Sequence, residues 1–154
     1  MLIGILGNKR HGKDTISDYL VQQFNFTKDA LATPIKDICE ILFHFDNDQL
    51  YGDKKEIPDE YWNVSARQVM QFIGTDLFRN QMGKLIPDMK NNFWIRHFEY
   101  KYYKIYQNKN IVVSDIRFQN EVDMIHSLGG IIIKVYRPDY PIDTKHPSEK
   151  GIHI

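Results

Sequence analysis

Gly7-Asn8-Lys9-Arg10-His11-Gly12-Lys13-Asp14-Thr15 follows a short apolar run, Leu2 to Leu6, and precedes a helical pattern with Ile16, Tyr19, Leu20 and Phe24 on one side. Strand, glycine loop and helix in this order are what a phosphate-binding loop requires. Gly7 and Gly12, five positions apart, let the backbone curl so that successive N–H groups and the helix N-terminus converge on one anion, while Lys13 reaches the outer phosphates. An ordinary strand-to-helix turn would use the glycines but leave the lysine unexplained. The stretch predicts binding of a nucleoside triphosphate.

The position after Lys13, where a Ser or Thr hydroxyl usually meets Mg²⁺, is Asp14, with Thr15 one step later. An acid beside bound phosphates is unfavourable unless a cation or a substrate hydroxyl offsets it. Two readings stand. Asp14, with Thr15, helps hold Mg²⁺ or faces a second substrate, or it merely favours the first helical turn through the macrodipole.

The 154 residues suffice for one domain with a full core, and 20 basic residues balance 20 acidic ones. With no net field and no recognisable reading helix, nucleic acid and acidic membranes are excluded as expected partners. The single cysteine, Cys39, lies in an apolar helical pattern and reads as core. The apolar start is too short for a secretory or membrane segment, so the expectation is a soluble cytoplasmic protein.

Phe26 to Leu31 is a weak second strand. Thr33 as N-cap and Pro34 at the first position open a helix with the stripe Ile35, Ile38, Cys39 and Leu42. Lys36 lies off that stripe, either solvated or reaching a substrate phosphate. Residues 44–63 are polar and broken and read as a long surface loop; their aspartates lack the spacing of a calcium loop. Ser65 caps a helix with Val69, Met70, Ile73 and Leu77 inward. Arg67, Gln71, Thr75 and Arg79 recur every fourth residue on its broad outer face, which is either a site for a phosphate and a base or an ordinary wet face. Asn92 begins a further helix with Trp94, Ile95, Phe98, Tyr102 and Ile105 inward and Arg96, Glu99, Lys101 and Lys104 outward. An aromatic stripe at helical spacing reads as core, with Trp94 the member that borders a pocket if any does.

Asn110 to Asp115 is a buried-type strand ending in an acid, at the sheet edge where the phosphate loop also lies. Asp115 is a candidate for orienting Mg²⁺-bound water or a substrate hydroxyl. Arg117 follows, Asn120-Glu121 opens a helix that Gly129-Gly130 ends, and Ile131 to Tyr136 is the last strand. The series predicts an α/β fold with a parallel sheet flanked by helices. Residues 137–154 read as a lid or tail in which Arg137 swings onto transferring phosphates; His146 and Glu149 are weak as metal ligands.

Taken together, Gly7 to Thr15, the segment from Arg67 to Arg79 with its Gln-x-x-Gly-Thr-Asp-x-x-Arg pattern, Trp94, Ser114-Asp-Ile-Arg117-Phe-Gln-Asn-Glu121 and His146-Pro-Ser-Glu149 resemble the deoxynucleoside monophosphate kinases of bacteriophages and large viruses over nearly the whole chain. The resemblance implies a phosphate-loop kinase fold, ATP and Mg²⁺ as cofactors, and γ-phosphoryl transfer to a deoxynucleoside monophosphate. A viral enzyme of this kind would work in the host cytoplasm, with a homodimer allowed. It implies that Gly7 to Thr15 cradle ATP. Residues 65–107 would form the helical monophosphate-binding region, with Lys36, Arg67, Gln71, Thr75, Arg79, Trp94 and Glu121 toward the substrate. Lys13, Asp14, Asp115, Arg117 and Arg137 would then serve the transfer. Family members usually continue beyond the His-x-Ser-Glu stretch into a strand and helix that frame the adenine, so a fold ending at Ile154 is minimal, completed by a partner chain, or a shortened product. Two other functions fit the loop: phosphorylation of a phosphomevalonate-type acceptor, and nucleotide binding without turnover. The Gln71 to Arg79 segment and Trp94 favour a base over an isoprenoid chain, because they offer polar edges and a stacking surface.

Overall fold

A computed structural model describes residues 1–8, 10–86, 89, 92–138 and 152 of the chain. They fall into two compact units, one formed by residues 1–31 and 95–154, the other by 32–94.

The first unit is built on a four-stranded sheet in the order β2-β3-β1-β4, with β1 Leu2–Leu6, β2 Thr27–Asp29, β3 Ile111–Ile116 and β4 Ile131–Lys134, every pairing parallel. Alternation along the strands divides its core in two. Ile3, Ile5 and Val112 pack with Phe26 against Ile16, Leu20 and Val21 of α1 (Lys13–Phe24). Leu2, Leu6, Ile111 and Val113 face the other way, against Phe98 of α6 (Phe93–Lys104) and Val122, Met124 and Ile125 of α7 (Gln119–Ser127). Helices on both faces explain why these strands read as continuous apolar runs rather than alternating ones. This is the α/β class expected from the sequence.

β3 departs from regular pairing at one point. Gly4 pairs with Val113 and Leu6 with Ile116, so β3 spends one residue more than β1 over the same span. The extra residue lets Val113 and Ile116, which a regular strand would set on opposite faces, share one core cluster. The bulge falls at Ser114-Asp115 and re-aims the carboxylate.

The second unit contains α2 (Thr33–Phe43), α3 (Asn47–Leu50), a 3₁₀ turn at Asp53–Glu56, α4 (Ala66–Gln71), a π-helix over Phe72–Gln81, and α5 (Met82–Leu85). Its core is Cys39, Phe45, Leu50, Ala66, Val69 and Ile73.

Several local expectations are corrected. Tyr19 and Phe24 are exposed and touch each other, because Ile16, Leu20 and Val21 complete the inward face of α1. Thr33 is already helical, behind Ala32 as N-cap, and Leu42 at the far end of α2 is exposed. The stretch 44–63 is no mere surface loop. Asp46 and Gln49 form a reciprocal capping box that starts α3 and carries Leu50 into the core beside Phe45. Ser65 and Gln68 cap α4 in the same way. Ile105 lies beyond the end of α6 and is exposed, whereas Lys101, expected outward, turns in.

The largest departure is the π-helix. Its i→i+5 bonding widens the turn beyond four residues. Phe78, five residues after Ile73, therefore comes round to pack on the core, while Leu77, expected inward, is 41% exposed.

Candidate phosphate-loop site

The loop after β1 takes its shape from two glycines used differently. Gly12, the N-cap of α1, sits at φ +96°, where a side chain would be strained. Gly7 is needed for room: a Cβ there would lie 2.5 Å from the carbonyl oxygen of Val135, just past β4. Arg10 is also left-handed, at φ 68°, which marks the loop as conformationally constrained. Lys13 Nζ donates to the carbonyl oxygens of Gly7 and, at 2.8 Å, Asn8. These contacts hold the ammonium over the loop rather than in solvent. Asn8 Oδ1 is buried with no hydrogen-bond partner among the described residues, an orphaned polar atom inside the cradle. Lys9 lies outside the described residues.

His11 is 3% exposed and its Nδ1 accepts the backbone N–H of Arg137 at 3.1 Å, with the Tyr136 ring 5.9 Å away. The histidine ties the phosphate loop to the chain leaving β4. Asp14 points out of the cradle to Lys28, whose Nζ bridges it at 3.0 Å and Asp18 at 2.8 Å. Burial opposes the Lys28 charge, yet the bonds and attraction from the two aspartates raise its pKa overall. Lys28 carried no motif and was not anticipated. Thr15 is exposed on the first turn of α1.

At the end of β3, Asp115 Oδ1 accepts the backbone N–H of Leu31 at 2.8 Å. Arg117 is exposed. Its backbone N–H donates to Glu121 Oε2 at 2.7 Å, and that of Phe118 to the same oxygen at 3.1 Å. Glu121, 6% exposed, thus caps the start of α7 and fixes the turn that carries Arg117.

In the second unit, Arg67 Nε pairs with Glu56 Oε1 at 3.1 Å and both side chains are largely exposed, so the pair adds little stability. Gln71 and Thr75 are exposed and Arg79 is half-buried. In an α-helix a step of four residues overshoots one turn by about 40°. Across the π-helix the same step falls short, so the drift from Arg67 to Gln71 reverses toward Thr75 and Arg79. The π segment keeps the four positions nearer one line than an uninterrupted α-helix would. Trp94 is 6% exposed, its Nε1 donates to Gly74 O at 2.9 Å, and its ring forms a mutual cluster with those of Phe78 and Phe93; it is an anchor of this unit's core. Lys36 Nζ stands 3.8 Å from the centroid of the Tyr51 ring, a cation–π contact. An apolar groove of about 710 Å³ lies between Leu42, Val64, Phe72 and Leu77, with Gln68 as its polar member. It contains none of the residues expected at the substrate, and its lining offers no charge to a phosphate.

His146 and Glu149, the weak metal reading, lie outside the described residues. Among the described residues no group of three or more His, Cys, Asp or Glu side chains could hold a metal, and no helix is long and apolar enough to cross a membrane.

The family model for deoxynucleotide monophosphate kinases matches residues 1–59 and 48–154. A protein of Acanthamoeba polyphaga mimivirus, provisionally named deoxynucleotide monophosphate kinase, is 39% identical over 97% of this chain and 80% of its own length. The deoxynucleotide monophosphate kinase of Enterobacteria phage T4 is 23% identical over 99% of this chain and 88% of its own, and that of Escherichia phage RB69 is likewise 23% identical, over 99% and 89%. With a phosphate loop after its first parallel strand, an acid in the bulge of the neighbouring strand, and a family match spanning the chain, this protein belongs to the deoxynucleotide monophosphate kinase family.

Proposed function

We propose that the chain transfers the γ-phosphoryl group of ATP to a deoxynucleoside monophosphate. The observation that carries this reading is the pairing of the Lys13 loop with Asp115 on adjacent parallel strands, β1 and β3. Phosphoryl transfer asks little covalent chemistry of a protein. It asks for two anionic groups held in line, neutralised and shielded from water.

Gly7 to Gly12 supply backbone donors to the ATP phosphates, and Asn8, whose Oδ1 has no partner among the described residues, can turn its amide to donate Nδ2 there. Lys13 leaves the carbonyls of Gly7 and Asn8 for the outer phosphates. Asp14 and Thr15 are the hard oxygen donors of this turn and would hold Mg²⁺, for Asp14 through water or after release from Lys28. Held there, the ion would supply neutralisation of the phosphate charge. Asp115 accepts from a substrate hydroxyl or orients Mg²⁺-bound water beside the attacking phosphate, and Arg117 and Arg137 neutralise the transferring group. Arg67, Gln71, Thr75 and Arg79 bind the monophosphate and its base, and Lys36 exchanges the Tyr51 ring for the substrate phosphate.

The test is ADP release from ATP and Mg²⁺ with each of the four common deoxynucleoside monophosphates, with phosphomevalonate as control. Turnover with at least one nucleotide is expected. ATP binding with no turnover on any nucleotide overturns the proposal, and turnover on phosphomevalonate alone reassigns the acceptor.

A further inference from the structure

At the carboxyl end of β2 the first unit buries a charged cluster that no step above uses. Asp29, the last residue of β2, has a side chain 5% exposed. Its Oδ2 accepts from Lys101 Nζ at 2.7 Å and from Tyr106 OH at 2.8 Å, while its Oδ1 accepts the backbone N–H of Ala30 at 2.8 Å. The next N–H along the chain, that of Leu31, donates to Asp115 Oδ1. We infer that Asp29, clamped by Lys101 and Tyr106, is a positioning residue that fixes the Ala30-Leu31 turn and through it the carboxylate of Asp115.

A stabilising role alone explains the cluster poorly. Burying an ion pair removes two charges from water, and an apolar set of the same volume often serves stability as well or better. What an apolar set lacks is direction. The two oxygens of Asp29 divide their work, one anchored to side chains from α6 and its exit, the other gripping the backbone. Asp115 sits in the β3 bulge, where regular ladder pairing is interrupted, and the Leu31 N–H, a donor from outside that ladder, is one of the bonds that orient its carboxylate. The Lys101 charge survives burial: desolvation opposes the ammonium, but the hydrogen bond and attraction from Asp29 prevail and raise its pKa. Burial raises the Tyr106 phenol as well, keeping it a donor.

The inference rests on the assignment of Asp115 to the transfer step, and a double-mutant cycle separates the two. Tyr106→Phe deletes one hydroxyl and should lower kcat on the order of tenfold, within what slight misplacement of a reacting group costs, with the nucleotide KM values unchanged. In an Asp115→Asn background the same change should have no further effect on kcat. Lys101→Arg, which keeps the charge but not the geometry, should repeat the pattern and serves if Tyr106→Phe fails to fold. Equal kcat losses from Tyr106→Phe in both backgrounds, or no loss in the first, overturn the positioning role while leaving Asp115 in place. A wild-type kcat for Asp115→Asn overturns the assignment of Asp115, and the inference falls with it. As a readout independent of turnover, the Leu31 amide proton should shift upfield in Tyr106→Phe.

Discussion

The backbone N–H of Arg137 donates to Nδ1 of His11 at 3.1 Å, joining the phosphate loop to the segment that follows β4. The ring is buried, so the bond is shielded from water. His11→Leu keeps a similar volume and deletes the acceptor. One hydrogen bond has a net worth of about 1 kcal/mol, so the KM for ATP should rise roughly three- to tenfold while the fold is kept. An unchanged KM in steady-state kinetics would show that the tie is incidental to nucleotide binding.

Lys13 Nζ rests on the carbonyls of Gly7 and Asn8, contacts that the proposed transfer exchanges for phosphate. Lys13→Ala removes a preorganised donor from the loop and should reduce turnover by at least about a hundredfold. The circular dichroism spectrum should stay native, because no core packing is touched. Near wild-type turnover would remove Lys13 from the mechanism.

The π-helix makes a prediction that α-helical periodicity reverses. Phe78 packs on the core and on the rings of Phe93 and Trp94, whereas Leu77 faces outward. Phe78→Ala should therefore destabilise the fold by about 3 kcal/mol and Leu77→Ala by less than about 1 kcal/mol. Urea denaturation of the two variants decides it. A larger loss for Leu77→Ala would mean that this segment is α-helical in solution.

How much of this was legible in the sequence depends on the range of the interaction that fixes each feature. The strands and the loop were readable because burial on both faces writes an uninterrupted apolar run and because Gly12 and Lys13 are local requirements. The helix at Asn47–Leu50 was missed although Asp46 and Gln49 form a local capping signal, since the surrounding charges suggested a loop. The use of Gly7 could not be read at all: its constraint is the Val135 carbonyl, far along the chain. The same holds for Asp29, whose partners Lys101 and Tyr106 lie more than seventy residues away, Lys101 looking like part of a solvated helix face when read alone. The bulge at Asp115 leaves no residue signature, as it exists only in the pairing of β3 with β1.

Cys39 is fully buried on α2, and desolvation pushes its thiol up to about 11. The thiolate is the reactive form, so at pH 8 the native protein should resist a thiol reagent such as iodoacetamide. Labelling should become complete in denaturant. Rapid labelling of folded protein would show that the core around Cys39, Phe45 and Leu50 opens readily.

His97 provides the pH test. Burial, with the Lys101 charge adding to it and Asp29 opposing, lowers its pKa from the ordinary 6.5. In the folded state it therefore stays neutral to lower pH than in the unfolded chain. Well above pH 6.5 neither state binds this proton, and His97 gives stability no pH dependence. As the pH falls through that value the unfolded chain takes up a proton that the native state refuses, so folding stability drops until the native ring protonates as well. His97→Gln removes this difference. Denaturation at pH 7.5 and 5.5 should then show wild-type stability falling relative to the variant as the pH is lowered. A constant or widening advantage for wild type would mean that His97 titrates in the native state at or above its ordinary value.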